Sequence, residues 1–190
     1  MALNHADVPK AIPRPVDDGL ASHLLGSSVP ADLALGSTDG TLVNLNKLPG
    51  LTIVFCYPRT GAPGEAVPAE WNNTPGARGC TAEACSYRDN FSTLAGLGVS
   101  AVFGLSVQDT TYQKEVKGRL GLPYDLLSDE KLEFVKAMKM PVFEWEGRPL
   151  VKRCTLAFRE GKVEHVWYPV FPPDENSAEV AAWLKKKTEG

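Results

Sequence analysis

The chain has 190 residues, 43% of them apolar and 23% charged, which suits one domain of ordinary size and argues against disorder, collagen and coiled coil for most of its length. The formal charge is −3, from 20 basic and 23 acidic residues. No segment has the excess of Lys and Arg that a phosphate backbone attracts, so nucleic acid is not an expected partner. The longest apolar run, Leu51–Tyr57, is too short to span a bilayer, and the start Met1-Ala2-Leu3-Asn4-His5 has neither the basic end nor the apolar stretch of a signal peptide. A reducing, cytoplasmic setting without membrane contact is therefore expected. Four cysteines are too few for a disulfide scaffold and need another account.

Taken in chain order, residues 1–25 hold four prolines or glycines and no apolar period, and read as an irregular N-terminal arm. Residues 26–190 read as one domain. It opens with two short strands, Leu33–Leu35 and Thr41–Leu45, around a Gly-rich turn. Leu51–Tyr57 is continuous and β-branched, the pattern of a central strand buried on both faces. Pro58–Gly79 carries four prolines and four glycines without a period, and loops of this length inside a domain are often functional. Cys80–Leu97 predicts one helix, since Cys85, Tyr87, Phe91, Leu94 and Leu97 recur at helical steps. Ser100–Val107 is a second buried strand. Asp109–Leu120 is a helix with Asp109 or Thr110 as cap and Gly121 at its end. Leu126-Leu127 is a short strand, and Ser128-Asp129-Glu130 caps a helix running to Met138. Two hairpins follow, one around Glu146-Gly147 and one across Glu160-Gly161, and a helix over Ala178–Lys187 ends the chain. The order predicts an α/β fold of thioredoxin type: a central mixed β-sheet flanked by helices, with an N-terminal β-hairpin.

Cys80 falls where the long loop meets the helix that follows the central strand. A helix N-terminus offers unpaired N–H groups and partial positive charge, which stabilise a thiolate. The alternative is a small buried apolar residue. Cys85 supplies a second thiol on the same helix. An α-helix would hold the two Cα atoms about 8.6 Å apart, from ~1.5 Å rise and ~100° turn per residue. A disulfide spans less than ~7 Å, so the pair closes only if the first turns unwind. Cys85 also fits the apolar stripe with Phe91 and can equally be core. Arg153, at the start of the strand Cys154–Phe158, either stands beside the thiolate and a substrate oxygen or points to solvent. His5, His23 and His165 lie in unrelated segments, and two cysteines five apart lack zinc-ligand spacing, so no metal site is expected.

Several pieces in order resemble the peroxiredoxins, closest to the peroxiredoxin Q or bacterioferritin comigratory protein group. They are Phe55-Cys56-Tyr57-Pro58, Thr74-Pro75-Gly76, Gly79-Cys80-Thr81-Ala82-Glu83-Ala84-Cys85, Tyr87-Arg88-Asp89, Gly104-Leu105-Ser106, Leu126–Asp129, Arg153 and Gly161–Val166. The resemblance spans residues 25–187. It implies a thiol-dependent peroxidase acting on hydrogen peroxide and organic hydroperoxides, without a cofactor. Cys80 would be the attacking cysteine, Cys85 the resolving one and Arg153 the oxyanion partner, with Pro58 and Thr74 at the substrate. It also implies reduction of an intramolecular disulfide by a thioredoxin-like partner, and a monomer or weak homodimer. The chain departs from the family pattern in its long Pro58–Cys80 segment and in Ala77, which stands where the family has threonine. Thr74 or Thr60 would then serve instead. A redox sensor or a thiol–disulfide oxidoreductase using the same cysteine pair is the competing reading; dedicated oxidoreductases usually carry Cys-x-x-Cys, which is absent from this chain.

Overall fold

A computed structural model describes residues 12–189. A seven-stranded mixed sheet runs in the order β2 (Leu42–Val43), β1 (Leu35–Ser37), β5 (Asp125–Ser128), β4 (Val99–Ser106), β3 (Leu51–Cys56), β8 (Cys154–Arg159), β9 (Lys162–Trp167). β3 pairs in parallel with β4 and antiparallel with β8, and all six of its residues are buried. This is the thioredoxin-like arrangement expected from the element order.

The side-chain alternation of β3 divides the core. Ile53, Phe55 and Tyr57 face four helices: α2 (Cys80–Asp89), α3 (Phe91–Gly96), α4 (Thr110–Leu120) and α6 (Asn176–Glu189). Val54 and Cys56 face the other way, toward α5 (Glu133–Met138) and the separate two-stranded hairpin β6 (Val142–Trp145) and β7 (Arg148–Val151).

Four sequence expectations are corrected. The single helix over Cys80–Leu97 is two helices, α2 and α3, broken at Asn90. The Asn90 amide bonds the Ser86 carbonyl and the Ser177 hydroxyl, which holds the chain in a bend against α6. The segment 58–79 is not irregular throughout, because α1 (Ala69–Asn73) sits within it and buries Trp71 between Phe143 and Trp145 of β6. The third predicted helix starts later than expected, at Glu133, although Asp129 does cap it by accepting from the Phe134 and Val135 N–H groups. The last helix begins at Asn176 and is entered from a short 3-10 turn, Pro173–Glu175.

Of the segment read as an arm, residues 1–11 lie outside the described residues. Its later part enters the core, where Ala21 and Leu24 are buried three residues apart on one turn. Gly26 N–H then bonds the Val163 carbonyl, which fixes the entry beside β9. Among the described residues no helix is long and apolar enough to cross a membrane.

Candidate active site around Cys80

Cys80 is the first residue of α2, and the residue before it decides how the helix begins. Gly79 has φ +100°, a conformation that costs a side chain dearly. A Cβ there would also stand 2.3 Å from Cγ of Pro173. Only glycine lets the loop turn into the helix against the Pro173–Glu175 turn. Behind Cys80, the Tyr87 hydroxyl donates to Oδ1 of Asn176 at 2.6 Å, and the Tyr124 hydroxyl donates to the Ala84 carbonyl at 2.6 Å. Phe55 of β3 stacks on Tyr87 with centroids 4.4 Å apart. The central strand thus seats α2, and α2 seats the cysteine.

Cys80 is 4% exposed. Arg153 comes to it from the residue before β8, with Nη2 3.2 Å from Sγ. The same Nη2 donates to the carbonyls of Gly76, Ala77 and Arg78 at 3.3, 3.4 and 3.0 Å. One guanidinium therefore holds both the sulfur and the turn that leads into it. Arg153 is 3% exposed, so the sequence alternative of a solvent-facing edge charge does not apply.

Nη1 of Arg153 pairs with Oε2 of Glu83, which is fully buried. Sequence reading passed over Glu83. The available signal was its spacing, since a residue three along a helix shares a face with the first. Burial pushes the Glu83 carboxyl up to about 7, against the opposing pull of Arg153. Burial works against the Arg153 charge as well, but the Cys80 and Glu83 charges outweigh it and raise the guanidinium further above its ordinary value. Arg153 remains a cation at any working pH. Oε1 of Glu83 and Nε of Arg153 are buried without hydrogen-bond partners. Such groups are costly to leave in an apolar interior.

Cys85 lies on the same helix and is partly buried. Burial raises its thiol above the ordinary value. Helical spacing keeps it from Cys80 while α2 stays wound. Pro58 is buried directly after Tyr57, which packs in the same apolar cluster as Cys80. Thr74 and Arg153 both line a cleft of about 220 Å³, with Pro15, Val16, Pro75, Phe143, Tyr168 and Pro169 among its walls. The Thr74 hydroxyl donates to the Glu70 carbonyl at 2.8 Å. The other candidate, Thr60, is tied to Gln108, Oγ1 to Oε1 at 3.2 Å. Among the described residues neither hydroxyl bonds Cys80 or Arg153.

The arrangement is a buried sulfur at a helix N-terminus, faced by a fixed cation that itself lines a small, largely apolar cleft. It suits attack by sulfur on a small electrophile whose leaving oxygen gains charge.

The family profile described as Redoxin matches residues 24–182. The chain is 28% identical over 178 residues to the chloroplastic peroxiredoxin Q of Suaeda salsa, covering 93% of this chain and 75% of that one. It is 30% identical over 139 residues to peroxiredoxin bcp1 of Schizosaccharomyces pombe, covering 69% and 63%. A putative peroxiredoxin bcp of Coxiella burnetii matches at 27% over 165 residues, 84% of this chain and 97% of that one. Among solved structures, the peroxidoxin BcpB of Mycobacterium tuberculosis superposes with a TM-score of 0.68 at 25% identity, covering 85% and 96%.

Proposed function

Since the chain belongs to the Redoxin family, within its peroxiredoxin Q and bacterioferritin comigratory group, we propose that this thiol peroxidase works through Cys80 with Cys85 as its resolving thiol. The observation that carries the reading is the 3.2 Å contact between Arg153 Nη2 and Cys80 Sγ at the start of α2.

A peroxide enters by the cleft that Thr74 and Arg153 share. The Cys80 thiolate attacks the nearer oxygen along the O–O axis. The S–O bond forms as the O–O bond breaks, and the electron pair leaves with the far oxygen. Arg153 and the free N–H groups of the first turn of α2 stabilise that oxygen, which takes a proton and departs as water or alcohol. Cys80 is left as a sulfenic acid. Glu83 keeps the guanidinium aimed, and Thr74 acts at the cleft wall once its hydroxyl leaves the Glu70 carbonyl.

Resolution requires movement. The first turns of α2 unwind, releasing the Gly76–Arg78 carbonyls from Arg153, and the Cys85 sulfur attacks the sulfenic sulfur. Water leaves and a Cys80–Cys85 disulfide remains. A thioredoxin-like dithiol then reduces it by exchange. The substrates are hydrogen peroxide and organic hydroperoxides, and the chain acts as a monomer or weak homodimer.

Stopped-flow reaction of the reduced protein with hydrogen peroxide, followed by thiol counting, tests this. Wild type is expected to lose two thiols rapidly, Cys80→Ser to react no faster than a free thiol, and Cys85→Ser to stop at a trapped sulfenic acid. A wild type as slow as a free thiol would sink the peroxidase reading and favour a sensor. Normal turnover by Cys85→Ser would leave a one-cysteine mechanism.

A further inference from the structure

Two thiols take no part in this mechanism. Cys56 ends β3 and Cys154 begins β8, and they are direct partners in the antiparallel register. Both are fully buried and unpaired. Direct antiparallel partners have Cα atoms about 4.5 or 5.5 Å apart, depending on which kind of pair they form. Both distances fall within the roughly 4.4–6.8 Å that a disulfide spans. Paired residues also project to the same side of a sheet, and both cysteines belong to the apolar cluster on the face away from Cys80. Burial pushes both thiols well above their ordinary value, and a charge on Cys154 would raise Cys56 further.

We infer that Cys56 and Cys154 are a second redox site, which closes to a cross-strand disulfide when oxidant reaches the sheet. Its spacing is ready without any backbone rearrangement, which Cys80 and Cys85 lack. What holds it reduced is protonation and cover. Ala77 is fully buried in the same cluster and stands between two residues whose carbonyls Arg153 grips. Opening of that turn, in a local fluctuation or when Cys80 is resolved, loosens the cluster that holds this pair. In that respect the inference rests on the peroxidase reading; the register argument stands without it. On closing, the two thiols lose two protons and two electrons as the S–S bond forms. A peroxide accepts them and is cleaved to water and alcohol, or a diazene accepts them and becomes a hydrazine. The bond ties the end of β3, one residue before Tyr57-Pro58, to the residue after Arg153.

The test uses the double variant Cys80→Ser, Cys85→Ser, which retains only these two cysteines, treated while folded with diamide, a diazene. Wild type is treated in parallel with excess hydrogen peroxide. Both are then denatured, alkylated and digested with trypsin without reduction. The expected product is a cross-link between peptides 48–59 and 154–159 in most of the chains of both samples. It is distinct from any Cys80–Cys85 link, which stays inside peptide 79–88. Recovery of peptides 48–59 and 154–159 mainly unlinked and alkylated overturns the proposal. If circular dichroism finds the double variant unfolded, the wild-type sample decides alone. Slow peroxide consumption with a good diamide cross-link would sink the peroxidase reading and keep this one.

Discussion

The two cysteine pairs of this molecule are opposites. Cys80 and Cys85 share one helix, whose pitch keeps them too far apart to bond, yet Cys80 has a cation at 3.2 Å that also lines a cleft. Cys56 and Cys154 are direct partners on neighbouring strands, at bonding distance by register, yet are sealed in the core without a charged partner. Here the helix start gives its sulfur electrostatic support but withholds its partner; the sheet supplies the partner and withholds the charge. Under the proposed mechanism, reactivity follows what surrounds the sulfur more than how near the second sulfur lies.

The comparison can be broken most severely at Cys80. Replacing it with serine is expected to slow peroxide reduction at least about 1,000-fold, ~4 kcal/mol in the barrier, while the Cys56–Cys154 cross-link under diamide is unaffected. Arg153→Met removes the cation. Loss of one fixed donor costs about 100- to 1,000-fold in rate, and stability should fall by about 3 kcal/mol because Glu83 is left buried and must take up a proton. Stopped-flow rates and urea midpoints read the two effects separately. Gly79→Ala attacks the geometry alone. The positive φ and the Pro173 contact predict a loss of about 2–5 kcal/mol in urea unfolding.

Smaller effects sharpen the same contrast. The folded Glu83 carboxyl lies at about 7, above the ordinary 4.5 of an unfolded chain. The folded state therefore holds the extra proton between these values, and its stabilising contribution is full below about 4.5 and lost as pH rises through about 7. Wild type should lose urea stability between pH 5 and pH 8, and Glu83→Gln should show a flatter profile; equal slopes would mean that Glu83 does not titrate there. Asp18→Asn should matter least. Asp18 bonds Lys152 at 2.6 Å and the Tyr168 hydroxyl at 2.8 Å, and the Lys152 bond leads in lowering its carboxyl to about 2. As a partly exposed pair it contributes up to about 1 kcal/mol, present above the ordinary 3.8 and lost as pH falls toward 2. A shift of about a degree or two in melting temperature at pH 7, much smaller at pH 2, is expected.

Much of this was legible along the chain. Leu51–Cys56 announced a central strand because a run buried on both faces needs no polar alternation, and Asp109 and Gly121 marked their helix because caps act within a few residues. Cys80, Cys85 and the loop before them could be picked out as a candidate reactive segment for the same reason: helix start, spacing and turn residues are local properties. The break at Asn90 was not readable, since it depends on Ser177, 87 residues away. Nor was α1, whose five residues are held by packing of Trp71 on β6. Glu83 looked like an ordinary helical carboxylate until Arg153, 70 residues on, was folded against it. Nothing along the chain paired Cys56 with Cys154, 98 residues apart, until strand register made them neighbours. The sequence by itself determined the elements and the one thiol set at a helix start, because hydrophobic period and capping are written in adjacent residues. Only the tertiary structure decided which charge meets which sulfur and which thiols face each other, because those contacts join segments that the chain keeps far apart.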